Sequence, residues 1–183
     1  MIISDLKFRN THIIQPKVFN DNRGLFFESF NINKLNKIFN SKISQINHSF
    51  SKKNVIRGIH LQHRDPQHQF FYVSQGQVKV VLVDFRFKSN TFLKKIYISL
   101  VESNPKIIHT PPGVGTSFLT LKKANTMMYF VSKTYNPDNE LGILWNDPTL
   151  NIKWQIKNPI ISNKDSSNLL VKDLKFNNFN FKI

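Results

Sequence analysis

Cysteine is missing from this 183-residue chain, which excludes disulfide scaffolds, thiol nucleophiles and Cys-ligated zinc together. Acidic residues are scarce: 11 Asp+Glu stand against 26 Lys+Arg, for a formal charge of +15. No apolar run approaches the ~18 residues of a membrane span. The opening Met1-Ile2-Ile3-Ser4-Asp5 is too short and polar to read as a signal peptide, so a soluble cytoplasmic protein is expected. No linker rich in Pro, Gly or Ser, no internal repeat and no low-complexity tract divides the sequence. A single domain over 1–183 follows, with the Asn/Lys-rich stretch after Asp165 expected to pack loosely or fray. Hydrophobic residues make up 40%, 17 of them Phe, which is enough apolar mass for a core and against long-range disorder.

The charge matches the footprint of a polyanion binder. The lysines are scattered, however, with Lys52-Lys53, Lys94-Lys95 and Lys122-Lys123 as isolated pairs, which reads as a solvated basic surface. The field of such a surface also draws in a phosphate-bearing small molecule.

Periodicity gives mostly short strands. Gln69–Val73 and Val78–Asp84, around Ser74-Gln75-Gly76-Gln77, read as a hairpin. The second run is apolar on both faces, as in a strand covered on both sides. Lys95–Leu100 alternates strictly, Lys106–Thr110 runs into the forced turn Pro111-Pro112-Gly113, and Phe118–Leu121 and Thr126–Val131 follow as strands. Only Ile32–Phe39 has helical spacing. An all-β sandwich or barrel of jelly-roll type is the architecture these patterns predict.

Polar groups concentrate in three places. A turn at Asn22-Arg23-Gly24 has aromatics on both sides. On an extended strand Gln45, Asn47 and Ser49 share one face, suited to hydrogen-bonding a planar base or a sugar. The third group is Tyr129 with Tyr135-Asn136-Pro137 and Ser162-Asn163-Lys164-Asp165. His60, His63 and His68 invite a metal reading. A mononuclear cupin-type site also needs a carboxylate and a later His, yet no Glu lies between Glu28 and Glu102 and the late His is His109. No metal is expected.

Phe19-x-Asp21-x-Arg23-Gly24-x-Phe26-x-Glu28, Gln45-x-Asn47-x-Ser49, Arg57-Gly58-Ile59-His60-x-Gln62, Tyr135-Asn136-Pro137, Gly142-Ile143-x-Trp145-x-Asp147 and Ser162-x-Lys164-Asp165 occur in one order. From about Asn10 to Asp165 the chain resembles the dTDP-4-dehydrorhamnose 3,5-epimerase family of nucleotide-sugar epimerases. The resemblance implies a double-stranded β-helix (a cupin-like jelly roll) with a few short helices, a homodimer with strand exchange, and neither metal nor organic cofactor. It implies action on a 4-keto-6-deoxyhexose carried by a nucleoside diphosphate, in deoxysugar biosynthesis for surface polysaccharide or glycoconjugate. The C4 carbonyl acidifies the protons on C3 and C5, and inversion needs a base on one face and a donor on the other. The resemblance places His60 as base, Asp165 as its orienting partner and Tyr129 as the acid. Arg57 would hold the diphosphate, Gln45 and Asn47 would position the nucleotide-sugar, and Tyr135 would contact the nucleotide end. Arg23, Phe26 and Glu28 would line the neighbouring subunit's site.

Three positions depart from the family's pattern: Gln69 where it has Lys, Val80 where it has Asp, and Thr116 where it has His. Losing the cation together with the carboxylate leaves neither charge buried alone. A remodelled pocket with changed substrate or single-centre inversion is expected, with a 3,4-ketoisomerase or a non-catalytic nucleotide-sugar-binding relative as the alternatives.

Overall fold

The computed structural model describes residues 1–35, 37–179 and 181. Among them thirteen strands dominate: β1 (Ile2–Asp5), β2 (His12–Gln15), β3 (Val18–Asp21), β4 (Gly24–Phe27), β5 (Gln45–Lys52), β6 (Ile56–Gln62), β7 (Gln69–Gln75), β8 (Gln77–Asp84), β9 (Lys95–Val101), β10 (Ile107–Thr110), β11 (Val114–Thr120), β12 (Ala124–Val131) and β13 (Glu140–Gly142). Two one-turn helices, α1 (Ile32–Leu35) and α2 (Asn163–Ser166), accompany them. A six-stranded sheet runs β1-β2-β10-β7-β12-β5 and a five-stranded sheet runs β13-β6-β11-β8-β9, with every pairing antiparallel. The two sheets pack face to face as a jelly roll, the architecture expected. No described helix is long and apolar enough to cross a membrane.

Three apolar layers follow from strand alternation. Between the sheets lie Phe71 and Val73 of β7, Val78, Val80 and Leu82 of β8, and Phe118 and Met127. The outer face of the five-stranded sheet carries Ile56, Ile59 and Leu61 of β6 with Val81 and Val83 of β8. The outer face of the six-stranded sheet carries Ile14, Phe70, Ile107 and Phe130 under Leu35 and Phe39. β8 is thus sealed on both faces, as its unbroken apolar run predicts.

Two expectations are corrected. β7 and β8 are not a hairpin: β7 pairs with β10 and β12, while β8 pairs with β9 and β11 in the other sheet. Gly76 is the corner between them. Its φ of +85° suits glycine, and a Cβ there would sit 2.4 Å from the Ala124 carbonyl oxygen. Its N–H is taken by the Glu102 carboxylate and the next N–H by Asn125 Oδ1, so the turn is tied to other strands and not to itself. Nor do the described residues after Asp165 stand away from the core. Val171, Phe176 and Phe181 are buried in the outer layer of the five-stranded sheet, with Phe176 stacked on Phe85 at 5.9 Å between ring centres. Apolar residues spaced among Asn and Lys cover that layer, which water would otherwise meet. Residues 180, 182 and 183 of that stretch lie outside the described residues.

On the outer face of the six-stranded sheet, His12, His109 and His68 form a column across neighbouring strands. His68 Nδ1 is 2.9 Å from His109 Nε2, and His109 Nδ1 is 2.9 Å from His12 Nδ1. His12 Nε2 reaches Asp5 Oδ1 at 3.2 Å. A single direction of donation, from His68 through His109 and His12 to Asp5, satisfies the column with all three rings neutral.

Candidate active site

The open end of the space between the sheets forms a cavity of about 370 Å³. From the five-stranded sheet come Arg57, His60 and Gln62 of β6 and Thr116 of β11; from the six-stranded sheet come Asn47 and Ser49 of β5, Gln69 of β7 and Tyr129 of β12. Its volume lies in the range of small-molecule sites.

A bulge aims the β6 residues. Phe118 of β11 pairs with Arg57 and Thr116 with His60, so three steps along β6 match two along β11. The extra residue reverses the alternation, and Arg57, His60 and Gln62 all border the cavity while Ile56, Ile59 and Leu61 pack outward. Gly58 makes the bulge possible: its φ is +103°, and a Cβ would lie 2.6 Å from the Thr116 carbonyl oxygen.

α2 supplies the partner of His60. Ser162 caps this turn by accepting from Asp165 N at 3.0 Å, and the turn presents Asp165, 4% exposed, beneath the imidazole. His60 Nε2 lies 2.6 Å from Asp165 Oδ1, while Gly58 N donates to Oδ2 at 3.2 Å. Burial by itself would raise the Asp165 pKa, but the bonds from His60, Gly58 and Asn168 outweigh it and hold the carboxyl below its usual range. An ionised Asp165 accepts only, so His60 Nε2 carries a proton, and in the neutral ring the lone pair falls on Nδ1. Nδ1 lies 3.9 Å from Glu140 Oε1. The other Glu140 oxygen binds Lys164 Nζ and accepts from Tyr135 Oη at 3.1 Å.

On the opposite wall Tyr129 is 3.4 Å from Ser49 Oγ. Burial pushes its phenol up to about 12, against smaller opposing effects of Ser49 and the Arg57 guanidinium. The group is therefore protonated throughout the neutral range.

Of the residues singled out in the sequence, His60, Asp165, Tyr129, Asn47, Arg57, Gln69, Thr116 and Tyr135 border this one cavity. Gln45 stands at its rim, donating to Asn47 Oδ1 at 2.6 Å and accepting from Tyr135 N at 2.9 Å. Arg23, Phe26 and Glu28 do not join them within the chain. The first two line a separate depression on the β3–β4 hairpin, where Arg23 pairs with Asp21, and Glu28 binds Lys34 and Asn31. Val80 is fully buried between the sheets and is not on the cavity wall. Sequence reasoning gave no role to Gln62, Gln67, Glu140 or Lys164, which line the cavity. Glu140 is one of only three glutamates, and β13 pairs it with Gln62 beside the His60 strand. Its rarity was the available signal. Among the described residues no group of three or more His, Asp or Glu converges as a metal site.

A base on one sheet and a protonated phenol on the other can remove a proton from one face of a bound carbon and return one to the opposite face. Jelly-roll enzymes that invert carbon in this way are carbohydrate epimerases, and that is the class this fold and cavity define. The sequence profile of the family described as dTDP-4-dehydrorhamnose 3,5-epimerase matches residues 5–173. The chain belongs to this family. It is 36% identical over 171 residues to the dTDP-4-dehydrorhamnose 3,5-epimerase of Salmonella typhimurium, covering 91% of this chain and 93% of that one. Among solved structures it superposes with a TM-score of 0.89 and 30% identity on the dTDP-6-deoxy-D-glucose-3,5-epimerase of Legionella pneumophila in complex with dTDP-4-keto-L-rhamnose, covering 93% of each chain. It is similar, with a TM-score of 0.90 and 28% identity over 94% of this chain and 88% of the other, to a 4-keto-6-deoxy sugar epimerase from the novobiocin biosynthetic gene cluster of Streptomyces spheroides.

Proposed function

We propose that the protein epimerises a nucleoside-diphosphate 4-keto-6-deoxyhexose of the dTDP-4-dehydrorhamnose type, with His60 and Tyr129 as its proton-transfer pair. The observation that carries this reading is the 2.6 Å contact between His60 Nε2 and Asp165, which makes Nδ1 the basic nitrogen of the neutral ring at a cavity whose other wall holds a phenol of raised pKa. His60 Nδ1 takes the proton from the carbon beside the ketone, and the electron pair left behind delocalises onto the ketone oxygen. The imidazolium then sits between Asp165 and Glu140, both of which stabilise its charge. Tyr129 returns a proton from the opposite side, and the two groups re-equilibrate through solvent.

Arg57, whose Nε is held by Ser51 Oγ at 3.0 Å, is placed to meet a phosphate. Gln45, Asn47 and Tyr135 are tied together at the rim and suit the nucleotide end. Gln69 and Thr116 give the sugar a neutral wall. Replacing one charged donor at a developing oxyanion by weaker ones costs about 3–4 kcal/mol in the transition state. This reading therefore favours inversion at one centre over inversion at both.

A homodimer with strand exchange completes the site. β3 and β4 form a two-stranded ribbon outside both main sheets, with Phe19, Leu25 and Phe26 exposed. Such a ribbon is marginal alone, and an apolar tip of this kind belongs against another surface. Arg23, Phe26 and Glu28 would then reach the cavity of the second copy. A cytoplasmic setting goes with a nucleotide-activated substrate.

Incubating the protein with dTDP-4-keto-6-deoxyglucose in deuterium oxide tests the reading. Deuterium enters at C3, C5 or both, and product NMR reports which centre inverts. Absence of exchange at either carbon, with thymidine, uridine, guanosine and cytidine carriers alike, overturns it. Migration of the carbonyl to C3 would show ketoisomerisation instead.

A further inference from the structure

Among the described residues three buried side-chain atoms have no hydrogen-bond partner: Thr11 Oγ1, Gln62 Nε2 and Gln67 Oε1. Thr11 is not on the cavity wall. Gln62 and Gln67 both are. A buried polar atom without a partner bears its full desolvation penalty, and each one calls for an explanation, a bound group among them.

The two atoms are of opposite sense. Gln62 Oε1 accepts from Asn136 N at 3.3 Å, which fixes the amide and leaves Nε2 as a donor. Gln67 Oε1 is an acceptor. Elsewhere around the cavity several polar groups have partners: Gln45 with Asn47 and Tyr135, Arg57 with Ser51, Glu140 with Lys164, and Asp165 with His60. Among the described residues, the buried atoms of the cavity wall left without a partner are those of the two glutamines, one donor and one acceptor, both neutral.

That combination defines its ligand group. A phosphate oxygen or a ketone can accept from Gln62 but has no proton for Gln67. An ammonium group can donate to Gln67 but cannot accept from Gln62. A hydroxyl does both. Resting on the epimerase reading, we propose that Gln62 and Gln67 are the specificity-determining pair of the cavity, reading one ring hydroxyl of the hexose and selecting against sugars that lack it. A site that hydrogen-bonds a hydroxyl rejects the deoxy analogue strongly, because both protein groups are then left unpaired.

The test is binding, with sugars that do not react: dTDP-glucose, dTDP-2-deoxyglucose and dTDP-3-deoxyglucose, titrated calorimetrically into the wild-type chain and the variants Gln62→Leu, Gln67→Leu and Gln67→Glu. The wild type binds dTDP-glucose about 10- to 100-fold more tightly than at least one deoxy sugar. Either leucine variant brings that ratio to within about 3-fold of unity by weakening the parent sugar alone, whereas Gln67→Glu, which keeps an acceptor, preserves it. Equal wild-type affinities for all three sugars overturn the proposal, as does an unchanged ratio in both leucine variants. Because these sugars carry no C4 ketone, the result is independent of turnover. Failure of deuterium exchange with the keto sugar would remove the epimerase reading and leave this measurement standing.

Discussion

His60 Nε2 and Asp165 Oδ1 lie 2.6 Å apart although 105 residues separate them along the chain. The pair joins strand β6 to the short helix α2, and that junction sets the tautomer on which the proposed proton abstraction depends. His60→Asn removes the base and lowers kcat by about 10²–10⁴-fold, with loss of deuterium incorporation. Tyr129→Phe behaves differently. Exchange at the acidified carbon persists because the base is intact, while net inversion falls by a similar factor. Chiral product analysis beside NMR exchange rates separates the two variants.

The Tyr129 phenol, raised to about 12 by burial, sets the alkaline limit of its own contribution. The proposed role requires the acid form, which is present at every pH well below that value. Measured kcat/KM therefore shows no loss attributable to Tyr129 between pH 8 and about 11, where an ordinary tyrosine would already have titrated near 10. An alkaline limb centred at 10 that disappears in Tyr129→Phe would contradict this.

The histidine column makes the fold sensitive to acid. Burial holds His109 down to about 2 from its ordinary 6.5, and His12 and His68 are lowered for the same reason. Between pH 6.5 and 2 the unfolded chain binds a proton at His109 that the folded chain refuses, so stability is full above 6.5 and declines as pH falls below it. Each such proton contributes a slope of about 1.4 kcal/mol per pH unit. Chemical denaturation at pH 7.5 and pH 5 reads this slope, and His109→Phe flattens it, since phenylalanine fits the ring stack with Phe70 and carries no charge.

Phe176 tests whether the C-terminal segment belongs to the core. Its ring packs on Phe85, Phe92 and Phe179, and truncation to alanine leaves a cavity beneath a buried layer. A loss of about 3–5 kcal/mol is expected, seen as a lower Tm in one cooperative transition. A second, separate low-temperature transition would show instead that the segment melts by itself.

How much of this was legible beforehand follows from how local each signal is. The β8 run, the β9 alternation, and the common face of Gln45, Asn47 and Ser49 are contained in a few residues, and they fold as the pattern says. The His60, Asp165 and Tyr129 constellation was legible only through resemblance to a family, because nothing in spacing joins positions 60, 129 and 165. Two features escaped for physical reasons. The turn at Gly76 has the chemistry of a hairpin, and only the competing partners β10 and β12 for β7, with β9 and β11 for β8, turn it into a corner. The bulge at Gly58 breaks the period of two, so simple alternation would have placed Arg57 and His60 on opposite faces. Glu140, Lys164, Gln62 and Gln67 arrive from separate segments, and their convergence is a property of the tertiary fold.

β8 has apolar neighbours on both sides, Val80 and Leu82 facing the interior between the sheets and Val81 and Val83 facing the layer closed by the tail. Its amide protons consequently exchange only when the whole molecule opens. A chain cut at the β7–β8 corner could not yield two halves that each keep a dry interior, since this one strand is a wall of both.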